Sequence, residues 1–433
     1  MSSLGSALAG WATVEFTPQP PCWMGGYGAR TAPAASVHDP LYAHAFALGT
    51  STSPLILIAC DLIEVDDDLV RAIRHEVRVA LPDATVWVSA THTHSGPAIT
   101  RLPPLATHPV DETVISRIIT ACARAAAEAA RGMRAVRYAW ASGAIEGVGT
   151  NRDHPDTPAA ITLDMLCCYA SDNTAGMDHP DAVFASFPCH PTVLGAENLA
   201  ITADLPGAFR RQVKMLLGER TWVALATGAA GDISTRYTRQ AQSFEELERL
   251  GGVLAHQAKQ LIATAHPIAV TDPVIARETI QLERKEVPSP ETLDANERAL
   301  REQMESARAA GKRGEARTLE TALQGVHAVR LLAAAPPADD VWVEITAAHA
   351  GELRLAGVPG ELFNRLGADI RQAGTTPTLL LGYTNGYVGY LPTCEAYDRL
   401  DYEVLISPLA RGSGERVRDA ACTLLGMPGG ARS

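Results

Sequence analysis

The chain has 433 residues, 46% of them hydrophobic and 20% charged, which excludes intrinsic disorder for its bulk. With 37 Lys and Arg against 49 Asp and Glu, the formal charge is −12, and no basic block offers a surface to nucleic acid or an anionic membrane. No apolar run reaches the roughly 18 residues a membrane span needs. No basic residue precedes the short apolar stretch that ends at Trp11, and the eight cysteines form no CxxC pair, so a cytoplasmic, reducing location is expected.

Leu41–Leu48 and Pro54–Val65 read as two strands, the second so continuously apolar that both its faces must be covered. Asp66–Leu81 has helical apolar spacing with aspartates in its first turn, and Thr85–Ala90 returns to strand. That order implies parallel pairs in a sheet. Asp111–Met133 is an Ala-rich helix, and strands follow near Val136–Ala141, Ala160–Tyr169 and Ala182–Pro188. Pro206–Glu219 reads as a helix with Asp204 near its cap, Trp222–Ala226 as a strand and Phe244–Ala265 as a helix. From about residue 287 to 335 the chain turns charged and Ala-rich, with Gly311 and Gly314 marking the turn of a helical hairpin; the expectation is an insertion with a solvated outer face. Asp340–Val358 reads as a two-stranded hairpin with a helix following from Glu361, then come a strand at Thr378–Tyr383 and a last helix at Gly414–Leu425. The fold class expected is α/β: a layered mixed β-sheet catalytic domain with flanking helices, one domain over 1–433.

Five segments carry chemistry. Thr91-His92-Thr93-His94-Ser95-Gly96-Pro97 follows a strand; in an extended segment residues two apart share a face, so His92 and His94 project together. Two such imidazoles suit zinc, or one ligand beside a general base. Cys189-His190-Pro191-Thr192 places another histidine at a strand end, with Cys189 facing the opposite way. Gly228 to Ser234 is a glycine-rich turn that would present Asp232 and Ser234 to a pocket. Pro359-Gly360-Glu361 lies between a strand and a helix, where the carboxylate could simply favour a helix N-terminus. Finally, five of the ten tyrosines fall between Tyr383 and Tyr402.

Taken together, these segments resemble the neutral/alkaline, non-lysosomal ceramidase family over about residues 10–403. The resemblance rests on Met24-Gly25-Gly26-Tyr27, the complete THTHSGP at Thr91–Pro97, Asn151-Arg152, His190, the GDxS turn at Gly231-Asp232-Ile233-Ser234, Pro359-Gly360-Glu361, and Asn385, Tyr387, Tyr390, Thr393, Tyr402 and Glu403. It is a resemblance to the zinc-dependent catalytic domain. About 30 residues follow Glu403, too few for the family's C-terminal immunoglobulin-like domain.

What the resemblance implies is a Zn²⁺ cofactor held by His92, His190, Glu361 and Tyr390. His94 would be the proton-transfer residue and Tyr402 an oxyanion-stabilising hydroxyl, with Arg152 and Ser234 binding substrate. The activity implied is hydrolysis of an N-acyl amide, ceramide or another N-acylated small molecule, by attack of a zinc-bound hydroxide. That is lipid, and specifically sphingolipid, chemistry. The same residues would serve an ester or lactone hydrolase, or a metal-binding scaffold without catalysis.

Overall fold

The computed structural model describes residues 8–101, 106, 108–170, 179–334, 341–374, 377–399 and 402–426. A nine-stranded mixed sheet forms the centre. Its strands run in the order Trp222–Thr227, Ala182–Phe187, Thr162–Ala170, Arg134–Ala144, Leu8–Glu15, Tyr42–Gly49, Pro54–Cys60, Thr85–Ala90, with His266–Ile268 paired to Arg134–Ala144. The outermost pair at each end is parallel, and the rest pair antiparallel. The expected strand–helix–strand unit is present: Pro54–Cys60 and Thr85–Ala90 are joined in parallel through helix α1, Asp67–Ala80. Asp66 caps α1 by accepting from Leu69 N, and Leu69, Val70, Ile73 and Val77 form its buried stripe.

Helix α2 (Glu112–Arg131) lies beside α1 and packs its buried alanines on the sheet. It rides so close that a Cβ on Gly10 would stand 2.1 Å from Ala129 O. Helices α3 (Asp204–Leu217) and α4 (Phe244–Ala263) cover the strands from Arg134–Ala144 to Trp222–Thr227. Against the other face lies a second sheet, ordered Val274–Leu282, Val341–Ala350, Leu353–Gly357, Thr378–Leu381. Phe46, Leu57, Trp87 and Phe184 of the large sheet meet Ala348, Leu355 and Leu379 of the small one in a dry core. Helices α5 (Pro290–Ala309) and α6 (Arg313–Ala334) form the expected hairpin. Helices α7 (Asn364–Ala373), α8 (Cys394–Arg399), α9 (Tyr402–Ile406) and α10 (Ser413–Gly426) complete the chain, and α7, α9 and α10 contribute to the core outside the small sheet. The layered α/β expectation therefore holds.

Three local expectations change. The apolar run from Pro54 leaves the sheet at Cys60, because Asp61 turns its carboxylate to Arg210 in a two-armed pair at 2.9 and 2.7 Å. Glu361 does not open a helix: Glu361–Leu362 bridges in parallel to Tyr390–Leu391, and α7 starts at Asn364. The hairpin is not wholly peripheral, since Gly325 of α6 approaches Leu405 of α9 so closely that a Cβ would meet it at 3.0 Å. Pro336-Pro337, a pair expected to end the hairpin, lies outside the described residues.

Candidate metal centre

Strand ends from both sheets meet at one edge, and the motif residues sit there. His92 and His94 converge, though not by strand alternation. The strand stops at Ala90, and His92 adopts φ of +64°, a left-handed kink that turns its ring inward. The two Nε2 atoms end 3.4 Å apart with the rings at 90°. His190 arrives from the end of Ala182–Phe187; its backbone N–H donates to Ile233 O, and it bridges to Ser234. Its Nε2 lies 2.9 Å from Glu361 Oε2 and 3.5 Å from the Tyr390 hydroxyl, while His92 Nε2 lies 3.4 Å from the same Glu361 oxygen. His92, His190 and Glu361 are at most 2% exposed.

The ring nitrogens' partners bear on what this cluster can hold. Nδ1 of His92 stands 2.6 Å from Ile63 O, and Nδ1 of His190 stands 2.6 Å from Ala230 O. A carbonyl only accepts, so each Nδ1 carries the proton. Burial, helped by the Arg152 charge, pushes the His190 imidazole down to about 4, so it is neutral at pH 7 and its Nε2 is a bare lone pair. That lone pair faces a carboxylate oxygen with no hydrogen between them. Such a contact is repulsive until a cation enters. Donor atoms held about 2.0–2.1 Å from one zinc ion at tetrahedral angles stand about 3.3 Å apart. The separations of 2.9, 3.4 and 3.5 Å bracket that spacing. The residues therefore fit a small divalent metal, with Nδ1 donation to carbonyls orienting both rings. The ligand atoms of His92, His94 and His190 also lie within 4.8 Å of one another, so a three-histidine set is geometrically open too.

The remaining motif residues surround this cluster. Arg152 donates through Nε to Glu403 and through its terminal nitrogen to the Tyr390 hydroxyl at 2.9 Å. Tyr387 donates to the second oxygen of Glu361. His94 rests against Tyr27 with ring centroids 4.8 Å apart, and its Nδ1 is buried without a hydrogen-bond partner among the described residues. A Cβ on Gly26, where φ is +93°, would come within 2.5 Å of that nitrogen, so only glycine admits the ring. Tyr402 opens α9; burial pushes its phenol up to about 12, against the pull of Arg152, and its hydroxyl has no hydrogen bond among the described residues.

Ser234 is backbone-adjacent to His190, but its hydroxyl is engaged by Arg236 N at 3.2 Å. Asp232, expected to face a pocket, is structural instead: it accepts from Asn364 N at 2.7 Å and Asn151 Nδ2 at 2.9 Å, lacing three loops together. Asp204 does not cap α3 from outside. It begins the helix at φ of +50° and accepts from Val193 N and Leu194 N, holding the loop after His190.

Sequence reasoning missed Tyr383, whose ring stacks on His92 at 4.2 Å, and Arg30, which donates to His94 O at 3.0 Å. Tyrosine density pointed at the first; nothing marked the second.

A buried histidine–glutamate cluster that could hold a metal ion lies at the edge of this two-sheet α/β fold. Two solved structures that share the fold are ceramidases. The neutral ceramidase from Pseudomonas aeruginosa matches with a TM-score of 0.79 at 16% identity, over 97% of this chain and 74% of that one. A ceramidase complexed with C2 matches at 0.75 and 16% identity, over 99% of this chain and 77% of its own. At that identity the likeness is one of fold. No protein-family model matches the sequence, and no curated protein does.

Proposed function

We propose that this protein is a zinc-dependent hydrolase that cleaves the amide bond of an N-acylated small molecule, ceramide or a related compound. One observation carries the reading: the bare Nε2 of His190 faces Glu361 Oε2 at 2.9 Å, an arrangement that calls for a cation. The shared fold with ceramidases and the order of the motifs along the chain support the substrate class.

His92, His190, Glu361 and Tyr390 would hold the metal, which when bound supplies a Lewis acid and brings the pKa of a water toward neutrality. The chain supplies the rest. His94 stands beside the cluster with its Nε2 turned toward it, 3.4 Å from His92 Nε2, placed to take a proton from water and give it to the departing amine. Tyr402, with its hydroxyl free and protonated at pH 7, is suited to donate to the oxyanion that develops on the carbonyl oxygen, a contribution of about 3 kcal/mol for a well-placed donor. Arg152, which bonds the Tyr390 hydroxyl, and Ser234, which bridges to His190, are the residues the resemblance assigns to substrate. The Arg152 guanidinium is already shared between Glu403 and Tyr390, so its contact with substrate would come from the phenol side.

The test is a panel of N-acyl amides of varied chain and head group, ceramide included, assayed with matched esters. Zinc is removed by chelator and then restored. Amide cleavage should vanish on chelation and return with zinc. Cleavage of esters alone, or turnover indifferent to zinc, would replace this reading.

A further inference from the structure

Behind the metal centre lies a second polar cluster, and it has one carboxyl too many. Asn151 shapes the loop by accepting from Asp153 N at 3.1 Å and His154 N at 2.8 Å, while Arg152 N donates to Asp232 O. These bonds fix Arg152 and Asp153 side by side. Glu403, fully buried in α9, meets them from the other end of the chain. One of its oxygens accepts from Arg152 Nε. Its other oxygen, Oε2, and Asp153 Oδ2 are both buried and have no hydrogen-bond donor among the described residues. The Asp153 carboxyl lies within hydrogen-bonding reach of Glu403.

Two carboxylates in contact cannot both ionise at low cost away from water. The one guanidinium between them and Tyr390 balances one negative charge. Burial is the larger cause, and the Asp153 charge adds to it, in pushing the Glu403 carboxyl up to about 8. A hydrogen shared between the two carboxyl groups would relieve both the crowding of charge and the unmet oxygens.

We propose that Asp153 and Glu403 share one proton, and that the single charge left on the pair clamps Arg152 against the Tyr390 hydroxyl, making Glu403 a positioning residue of the centre. This rests on the reading that Tyr390 belongs to the reacting cluster. The chain of contacts is continuous: Glu403 to Arg152, Arg152 to the Tyr390 oxygen, and that oxygen to His190 Nε2 at 3.5 Å. The guanidinium also lies over the Tyr390 ring, 5.3 Å from its centroid, so a displaced Arg152 would free the phenol to swing.

A shared proton makes an unusual mutational pattern. In Glu403→Gln the amide oxygen still accepts from Arg152 and the amide NH₂ donates to Asp153, which keeps the charge. In Asp153→Asn the new amide donates to Glu403, which keeps it instead. Only the double variant removes the pair's negative charge from beside Arg152. In the full-length, zinc-loaded protein each single substitution should lower kcat about threefold, and the pair together about 100-fold with KM moving far less. A Glu403→Gln variant as impaired as the double, or a double equal to the product of the singles, would overturn the shared proton. The same four proteins are also compared by thermal midpoint and by zinc retained against a chelator. The expected pattern is again two mild singles and one severe double, and an additive series contradicts it. If the wild type cleaves no amide, the proposed function fails alone, and these two readouts still decide the pair.

Discussion

Glu64 is a carboxyl sealed from water. It is 1% exposed, and neither oxygen has a hydrogen-bond partner among the described residues. Burial comes first, and the Asp66 and Glu361 charges add to it, in raising its pKa from 4.5 to about 8 against a smaller opposing effect of Thr100. The sign of the consequence is definite. A carboxyl whose folded pKa is raised contributes stability below its unfolded pKa and loses it as pH climbs toward the folded value. Between pH 4.5 and about 8 the unfolded chain releases this proton while the fold retains it. Glu64→Gln cannot ionise, so its advantage over wild type should grow from pH 5 to pH 8 by a few kcal/mol, order of magnitude only. Urea unfolding of chelator-treated protein at both pH values measures it, and an advantage that shrinks with pH contradicts the account. At this scale His92, His190, Glu361 and Tyr390, expected together from the family resemblance, are side chains that the fold brings close to one another. Their orienting partners were not legible in the sequence: Ile63 O and Ala230 O are backbone atoms, and no residue type announces a carbonyl.

Among the elements, α3 and α4 show how close packing positions a site at a distance. Gly251 of α4 faces Ala208 of α3, and a Cβ there would stand 2.6 Å from the Ala208 Cβ and 3.0 Å from its carbonyl carbon. Gly251→Val should therefore destabilise the protein by about 1–3 kcal/mol through overpacking. Because α3 begins at Asp204, which holds the loop after His190, zinc affinity should fall with it. A variant with unchanged thermal midpoint and unchanged affinity would show that the helices have slack. Periodicity located both helices within two residues, since each presents a buried stripe. It missed the strand Val274–Leu282, whose residues are mostly exposed or half-buried and so carry no alternation, and Leu8–Glu15, whose small residues mask the pattern. The path of Pro54–Val65 was half right: composition showed a buried strand, but the Arg210 that pulls Asp61 out of it lies 149 residues away.

For the molecule as a whole, the centre is a meeting of distant segments. Residues near 63, 92, 152, 190, 230, 361, 390 and 403 come together only when both sheets are stacked and their strand ends are level. No described helix is long and apolar enough to cross a membrane. A metal that binds only this assembled state stabilises the entire fold by linkage. The layered architecture was legible because strand and helix signals alternate; the second sheet's contact with the first was not, since nothing local encodes it. The most direct measurement is zinc content after equilibrium dialysis against a buffered zinc solution, for wild type, His92→Ala and Glu361→Gln, each confirmed folded by circular dichroism. The account predicts about one tightly held zinc per wild-type chain and its loss from both variants. Variants that fold and keep zinc at the wild-type level would contradict it.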